Sequence, residues 1–269
     1  MLSGETSKLL LTNVTVIIYH IKRVKNMQLN KKRIVITGGT SGIGYQLVKR
    51  LQSKNQLIVI ARDKQKLNQL TAEFQGVIPL TADLSNLEDV QSVANSITQQ
   101  FDSVDVLINN AAAQSTHLFL DDEFSYSSIE DEITINLTSV CCLTYLLLPL
   151  LLNVDKGVVL NINSALSMAP KKSSAIYCAS KGGLKIFSES LGYQLENTNV
   201  NVQQAFLPLV DTAMTKGRGT DKITAYEAAK AITEGLEQDI QEHFIGKTKL
   251  LKLLLRLMPG VARKIMKKH

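Results

Sequence analysis

The chain has 269 residues, 45% of them apolar and 20% charged, a balance that fits a well-cored globular protein and argues against a disordered or low-complexity one. Its net charge of +6 is unevenly placed: residues 1–33 carry +6 and residues 247–269 carry +8, leaving −8 for the body, which excludes a nucleic-acid footprint across that body. The three cysteines, two of them adjacent (Cys141, Cys142), form no disulfide framework and no metal-ligand spacing, so no metal site is expected and a reducing, cytoplasmic compartment fits.

Residues 9–21 are apolar and are followed by Lys22, Arg23 and Lys25. A spanning helix needs about 20 apolar residues, and this run of thirteen holds Asn13 and His20. It reads as part of an extension, 1–29, to a domain that begins near Met27, with a membrane-surface anchor as the alternative. From Lys32 strand and helix patterns alternate. Strands are expected at 33–37, 57–61, 77–81, 104–108, 157–162 and 200–206. Helices are expected at 43–53, 64–74, 87–101 and 123–152, the last stopped near Pro149 and Asn153, with a further one through Tyr177 and Lys181. Continuous rather than alternating apolar strands, each followed by a helix, predict an α/β fold for residues 30–246. That fold is a single doubly wound parallel sheet with helices on both faces.

The first strand runs into Thr37-Gly38-Gly39-Thr40-Ser41-Gly42-Ile43-Gly44 and then a helix. Glycines there let the backbone approach a pyrophosphate, and the helix N-terminus offers free N–H groups and the positive end of its dipole. A nicotinamide dinucleotide is the expected ligand. An acid at the end of the second strand would accept from a ribose 2′-hydroxyl, but this chain has Ala61-Arg62, which favours a 2′-phosphate and hence NADP(H) over NAD(H). Asp83-Leu84, after the third strand, is placed to hold the adenine edge, or simply to start the next helix.

Tyr177 and Lys181 stand four apart in an expected helix, with Ser164 thirteen residues upstream. An i,i+4 pair shares a face, so the ammonium lies beside the phenol. Bringing a phenol from about 10 to roughly 7 takes about 4 kcal/mol of differential stabilisation. The lysine and an oxidised nicotinamide ring together are charges of the right kind.

Thr37-Gly-Gly-Thr-Ser-Gly-Ile-Gly44, Asn109-Asn-Ala-Ala112, Asn136, Ser164, Tyr177-x-x-x-Lys181 and Pro208-x-x-x-Thr212 occur together in an order that resembles the short-chain dehydrogenase/reductase family, over roughly residues 30–246. The tail from Ile245 also resembles bacterial reductases linked to teichoic-acid D-alanylation. The resemblance implies a Rossmann-type fold and an NADP(H)-dependent carbonyl reductase or alcohol dehydrogenase. Tyr177 would exchange the proton, Ser164 would orient the substrate oxygen, and Lys181 would lower the Tyr177 pKa and hold the ribose. Asn136 would anchor a water leading to Lys181. Asn110, Ala111 and Thr212 would contact the cofactor beside the glycine turn. The alternative of another class is a sensor or scaffold that binds NADP(H) without turnover. Two positions depart from the family pattern: Ala112 stands for a glycine, and Leu207-Pro208-Leu209 lacks the Pro-Gly turn.

A small-molecule carbonyl or alcohol should meet segments 113–122, 165–173 and 208–224, with 213–222 as a lid. Lys216 and Arg218 read as solvated, the alternative being contact with an acidic substrate group. Leu166, Met168 and Ala169 suggest a partly apolar pocket. Residues 247–269 form a basic amphipathic tail, with Lys249, Lys252 and Arg256 on one side and Leu250, Leu254 and Leu257 largely on another. It is expected to pack on the body or on a second subunit, with peripheral contact to an anionic membrane as the alternative. The resemblance implies a homodimer or homotetramer built by helices near 123–152 and 174–197.

Overall fold

A computed structural model of the chain describes residues 27–268; the reading of residues 9–21 lies outside the described residues. The described chain starts in the core: Met27 and Leu29 are buried, and the Met27 N–H donates to the Glu237 carbonyl at 2.8 Å.

Seven parallel strands form the main sheet, in the order β3 (Val77–Thr81), β2 (Gln56–Ala61), β1 (Arg33–Thr37), β4 (Val106–Asn109), β5 (Gly157–Ser164), β6 (Val200–Leu207) and β9 (Glu242–Phe244). Helices α1 (Gly42–Leu51), α2 (Lys64–Glu73) and α3 (Leu87–Gln100) connect the first four strands. The alternation of side chains along each strand divides the core in two. Ile34 and Ile36 of β1 pack on α1, α2 and α7 (Ala225–Glu237), while Val35 packs on α3 and α5 (Ser139–Leu152). Both faces are therefore covered, which is why these strands are apolar throughout.

From β1 the chain winds out to β3, then crosses to β4 on the other side of β1. The order reverses between β1 and β4, and the crevice at the carboxyl ends of those two strands is where such sheets bind ligands.

Three expectations are corrected. The single helix over 123–152 is α4 (Tyr126–Ile133), a π-helical turn (Thr134–Thr138) and α5. Pro149 does not stop α5, because it lies exposed in the last turns, where its missing N–H falls on the solvent side. Strand β5 runs two residues beyond Ile162, so Ser164 sits at its carboxyl end, paired with Leu207. Residues Tyr126–Leu152 are long and apolar enough to cross a membrane by length and composition, yet Leu143, Leu147, Leu150 and Leu151 are buried in the core.

Helix α6 (Ala175–Gln194) carries Tyr177 and Lys181. A small ladder, β7 (Val210–Asp211) with β8 (Ile223–Thr224), closes the base of the 213–222 segment. Helices α8 (Thr248–Leu257) and α9 (Pro259–Lys267) form a C-terminal hairpin.

Candidate active site

A cavity of about 750 Å³ opens at the carboxyl ends of β1, β4 and β5. One end is the glycine turn. Gly38 and Gly42 hold φ of 68° and 53°, a region open to glycine and strained for other residues. A Cβ on Gly44 would stand 2.1 Å from the Gly38 carbonyl and 2.6 Å from Asn110 Nδ2, so the helix can approach the turn only because Gly44 has no side chain. Ser41, the N-cap of α1, makes no side-chain capping bond, and Gly42, Ile43 and Gly44 line the cavity with the first turn's N–H end. That geometry fits a pyrophosphate.

Thr37 does not line the cavity. It is buried, and its Oγ1 accepts from the Asn110 and Ala111 N–H groups at 3.0 Å each. Asn110 Nδ2 donates to the Thr37 and Gly38 carbonyls. The two residues lock the loop after β4 onto the glycine turn. Thr40, Asn110, Ala111 and Thr212 all face the cavity.

At the adenosine end Arg62, Asp83 and Leu84 line the wall, and Arg62 Nη1 stands 3.7 Å from Asp83 Oδ2. Burial raises the Asp83 carboxyl, but the Ser85 N–H and hydroxyl and the Arg62 charge outweigh it and leave it below its usual range. Asp63 and Lys66, which the sequence reading passed over, line the same end. Asp63 caps α2 through the Gln65 and Lys66 N–H groups.

Ser164, Tyr177 and Lys181 come together at the middle of the cavity. Lys181 is 3% exposed, and its Nζ donates to the Ile162 carbonyl at 2.9 Å. Nζ lies 5.9 Å from the Tyr177 ring centroid. The ammonium therefore sits under the ring, turned to the strand. Burial pushes Tyr177 up to about 12, against opposing pulls from a hydrogen bond with Ser164 and the Arg218 charge. Burial pushes Lys181 down to about 8.

Asn136 does not reach the cavity. It is fully buried in the π-helical turn, where its amide brackets Ala113, accepting from the N–H and donating to the carbonyl at 2.8 Å each, and donates to Ser180 Oγ at 3.1 Å. Its place is behind the loop after β4, with Ser180 tying it to α6.

The far end of the cavity is apolar, walled by Leu166, Leu209, Met214, Leu250, Leu254 and Ile265. The C-terminal hairpin thus forms part of the chamber, which its sequence did not announce. Thr248, Leu251 and Ala262 of the hairpin are buried, and Thr248 Oγ1 donates to the Phe206 carbonyl at 3.1 Å.

The family model for short chain dehydrogenases matches residues 32–223. The chain belongs to the short-chain dehydrogenase family. Among its relatives, this dehydrogenase is 27% identical to the uncharacterized oxidoreductase DltE of Bacillus subtilis, covering 80% of this chain and 88% of DltE. It is 29% identical to an NADP-dependent 3-hydroxy acid dehydrogenase of Schizosaccharomyces pombe, covering 69% and 74%. A short chain dehydrogenase from Burkholderia cenocepacia in complex with NADP superposes with a TM-score of 0.80 over 89% of this chain and 99% of that one, at 22% identity. One from Burkholderia phymatum in complex with NAD gives 0.77 over 87% and 96%, at 21%. These two structural neighbours thus bind a nicotinamide cofactor, one in each of its forms.

Proposed function

We propose that the protein is an NADPH-dependent carbonyl reductase, or the matching alcohol dehydrogenase, with Tyr177 as general acid/base. The observation that carries this reading is one continuous cavity, running from the glycine turn past Ser164, Tyr177 and Lys181 into an apolar chamber. A bound nicotinamide supplies or accepts the hydride. Gly38, Thr40, Ser41, Gly42, Ile43 and Gly44 cradle its pyrophosphate, and Asp83 and Leu84 flank the adenine. Asn110, Ala111 and Thr212 line its path toward Tyr177, and Lys181 takes the ribose. Ser164 orients the substrate oxygen, and Tyr177 gives that oxygen its proton or takes one back. Thr37 and Asn136 act by positioning the walls. Loss of NADPH absorbance against aldehydes, ketones and 3-oxoacyl thioesters tests the reading. Tight NADPH binding with no turnover on any of them would favour the sensor alternative.

NADP(H) is preferred on the strength of Arg62, with Lys66 beside it, at the ribose end. Asp63 lies there too, but its carboxylate is engaged in capping α2. Arg62→Asp is expected to weaken NADPH binding at least about tenfold, since a charge-assisted hydrogen bond is worth roughly 1.5–3 kcal/mol, and to leave NADH binding much less changed. Equal affinities of wild type and variant for NADPH would remove Arg62 from the site.

The substrate is a small carbonyl or alcohol, and free cysteines with nicotinamide dependence fit a cytoplasmic setting. Tyr126, Tyr145, Ile186 and Tyr193 are exposed on α4, α5 and α6, the surface a homodimer or homotetramer would cover. The hairpin exposes Leu253, Leu257, Met258 and Val261 among its cations and has no acid, a composition suited to peripheral contact with anionic lipid. One sedimentation experiment separates these uses. The protein alone should run at dimer or tetramer mass, and it should pellet with anionic vesicles. Leu253→Glu/Leu257→Glu should abolish pelleting and keep the mass, whereas a change of mass would assign those leucines to the subunit contact.

A further inference from the structure

The charges that line the cavity do not balance locally. Asp63, Asp83 and Asp221 are its acids, and each has a cation of its own: Lys66 at 3.4 Å, Arg62 at 3.7 Å and Lys247. Lys181 is occupied by the Ile162 carbonyl. Two cations are left over, Lys171 and Arg218, both half-buried and both lining the cavity, with Arg218 near enough to act on both Lys171 and Tyr177. Among the described residues neither forms an ion pair. The nearby buried carboxyl, Glu132, accepts the Ser115 N–H at 2.8 Å and does not line the cavity.

Arg218 is held in place. Its Nη1 donates to Gln114 Oε1 at 3.0 Å, and Gln114 Nε2 donates to Ser174 Oγ at 3.2 Å. Ser174 is the N-cap of α6, with φ of 58°, three residues before Tyr177. The segment 213–222 is thereby latched across the cavity to the helix of the proton donor. One guanidinium N–H is used in that latch, and the fork has five. Lys171 reaches the same space from the loop after β5. Burial and the Arg218 charge both push the Lys171 ammonium below its ordinary value, and Arg218 in turn pulls on Tyr177. Two like charges kept close and partly dry repel each other, and an anion between them removes that cost.

We propose that Lys171 and Arg218 form a subsite for an anionic group carried by the substrate near its reacting carbonyl, with the apolar wall taking the rest of the molecule. The substrate class is then an oxo acid with a hydrocarbon chain, or the same acyl unit on a phosphate-bearing carrier. This inference rests on the carbonyl-reductase reading and adds the substrate's charge to it. It reverses the sequence expectation for Arg218, which read as solvated. Lys216, the other cation weighed there, is indeed exposed and away from the cavity.

The test compares a medium-chain 3-oxo acid, its methyl ester and its coenzyme A thioester on the full-length protein with NADPH. The acid is expected to exceed the ester in kcat/KM by at least about 30-fold, the scale of a charge-assisted hydrogen bond. Lys171→Gln and Arg218→Gln should each lower that ratio about tenfold or more. A thioester that outruns both would assign the subsite to a carrier phosphate, provided its advantage over the ester also falls in the two variants. A second readout needs no turnover: a saturated carboxylate of the same chain length should raise the melting temperature of the NADPH-loaded protein, and the matching alcohol should not. Turnover of all three compounds with ratios near one, or variants that slow them equally, would overturn the subsite and leave the reductase standing. A carboxylate-specific shift with no carbonyl reduced would do the reverse.

Discussion

Replacing Tyr177 by Phe should lower turnover by a factor of about 10³ or more, while NADPH affinity stays within about threefold of wild type. The upper range for general acid–base catalysis sets that scale. The ring is kept, so the wall it presents to the cavity is kept, and the one atom lost is the hydroxyl that shares a hydrogen bond with Ser164. Burial leaves that hydroxyl up at about 12, so the phenol is fully protonated through neutral pH. That is the state needed to hand a proton to a carbonyl oxygen during reduction. The reverse reaction must first ionise it. Reduction should therefore be flat in pH from 6 to about 7, below the range in which Lys181 loses its proton, and oxidation should rise with pH. Single-turnover NADPH oxidation with a good carbonyl substrate, beside NADPH binding by fluorescence, measures both parts. Near-normal turnover in the variant would remove Tyr177 from the chemistry.

Most of the frame could be read from the chain because it rests on local patterns. The glycine turn declares itself through strand, turn and helix in sequence, and the closest approach to Gly44 is the Gly38 carbonyl, six residues away. Tyr177 and Lys181 follow from one helical turn. What escaped the sequence depends on distance along the chain. Asn136 reads as a relay residue, and folding turns its amide away from the cavity toward Ala113, 23 residues upstream, and Ser180, 44 residues on. Arg218 reads as a solvated charge in a glycine-rich loop until it meets Gln114, 104 residues away. The hairpin's leucines are expected to pack on the body or on a partner, with lipid as the alternative, and only the fold shows that some of them wall the chamber. For Lys181 the spacing gave the shared face, but not the strand carbonyl that its ammonium meets, which helix periodicity does not register.

Lys181→Met should abolish turnover and yet stabilise the cofactor-free protein at neutral pH. Among the described residues the ammonium, 3% exposed, meets one carbonyl and no carboxylate, and burial takes it from its ordinary 10.5 down to about 8. Each pKa unit is worth about 1.4 kcal/mol, so holding the charge in the folded state below pH 8 costs about 3 kcal/mol. The sign follows from proton counting. Between pH 8 and 10.5 the unfolded lysine is protonated and the folded one is not, so stability rises with pH across that window and levels off above it. Methionine keeps the stem and removes the titration, but leaves the Ile162 carbonyl without its donor, an offset of about 1–3 kcal/mol. The net gain at pH 7 is then about 0–2 kcal/mol, and it should vanish or reverse by pH 10.5. Denaturant unfolding of both proteins from pH 7 to 10.5 reads the crossing directly. Parallel curves would show that the lysine does not titrate there. A fold that carries an unpaired buried charge at such a cost points to a functional use for it when ligands are bound, and in the function proposed above that use is to hold the ribose of the nicotinamide nucleotide.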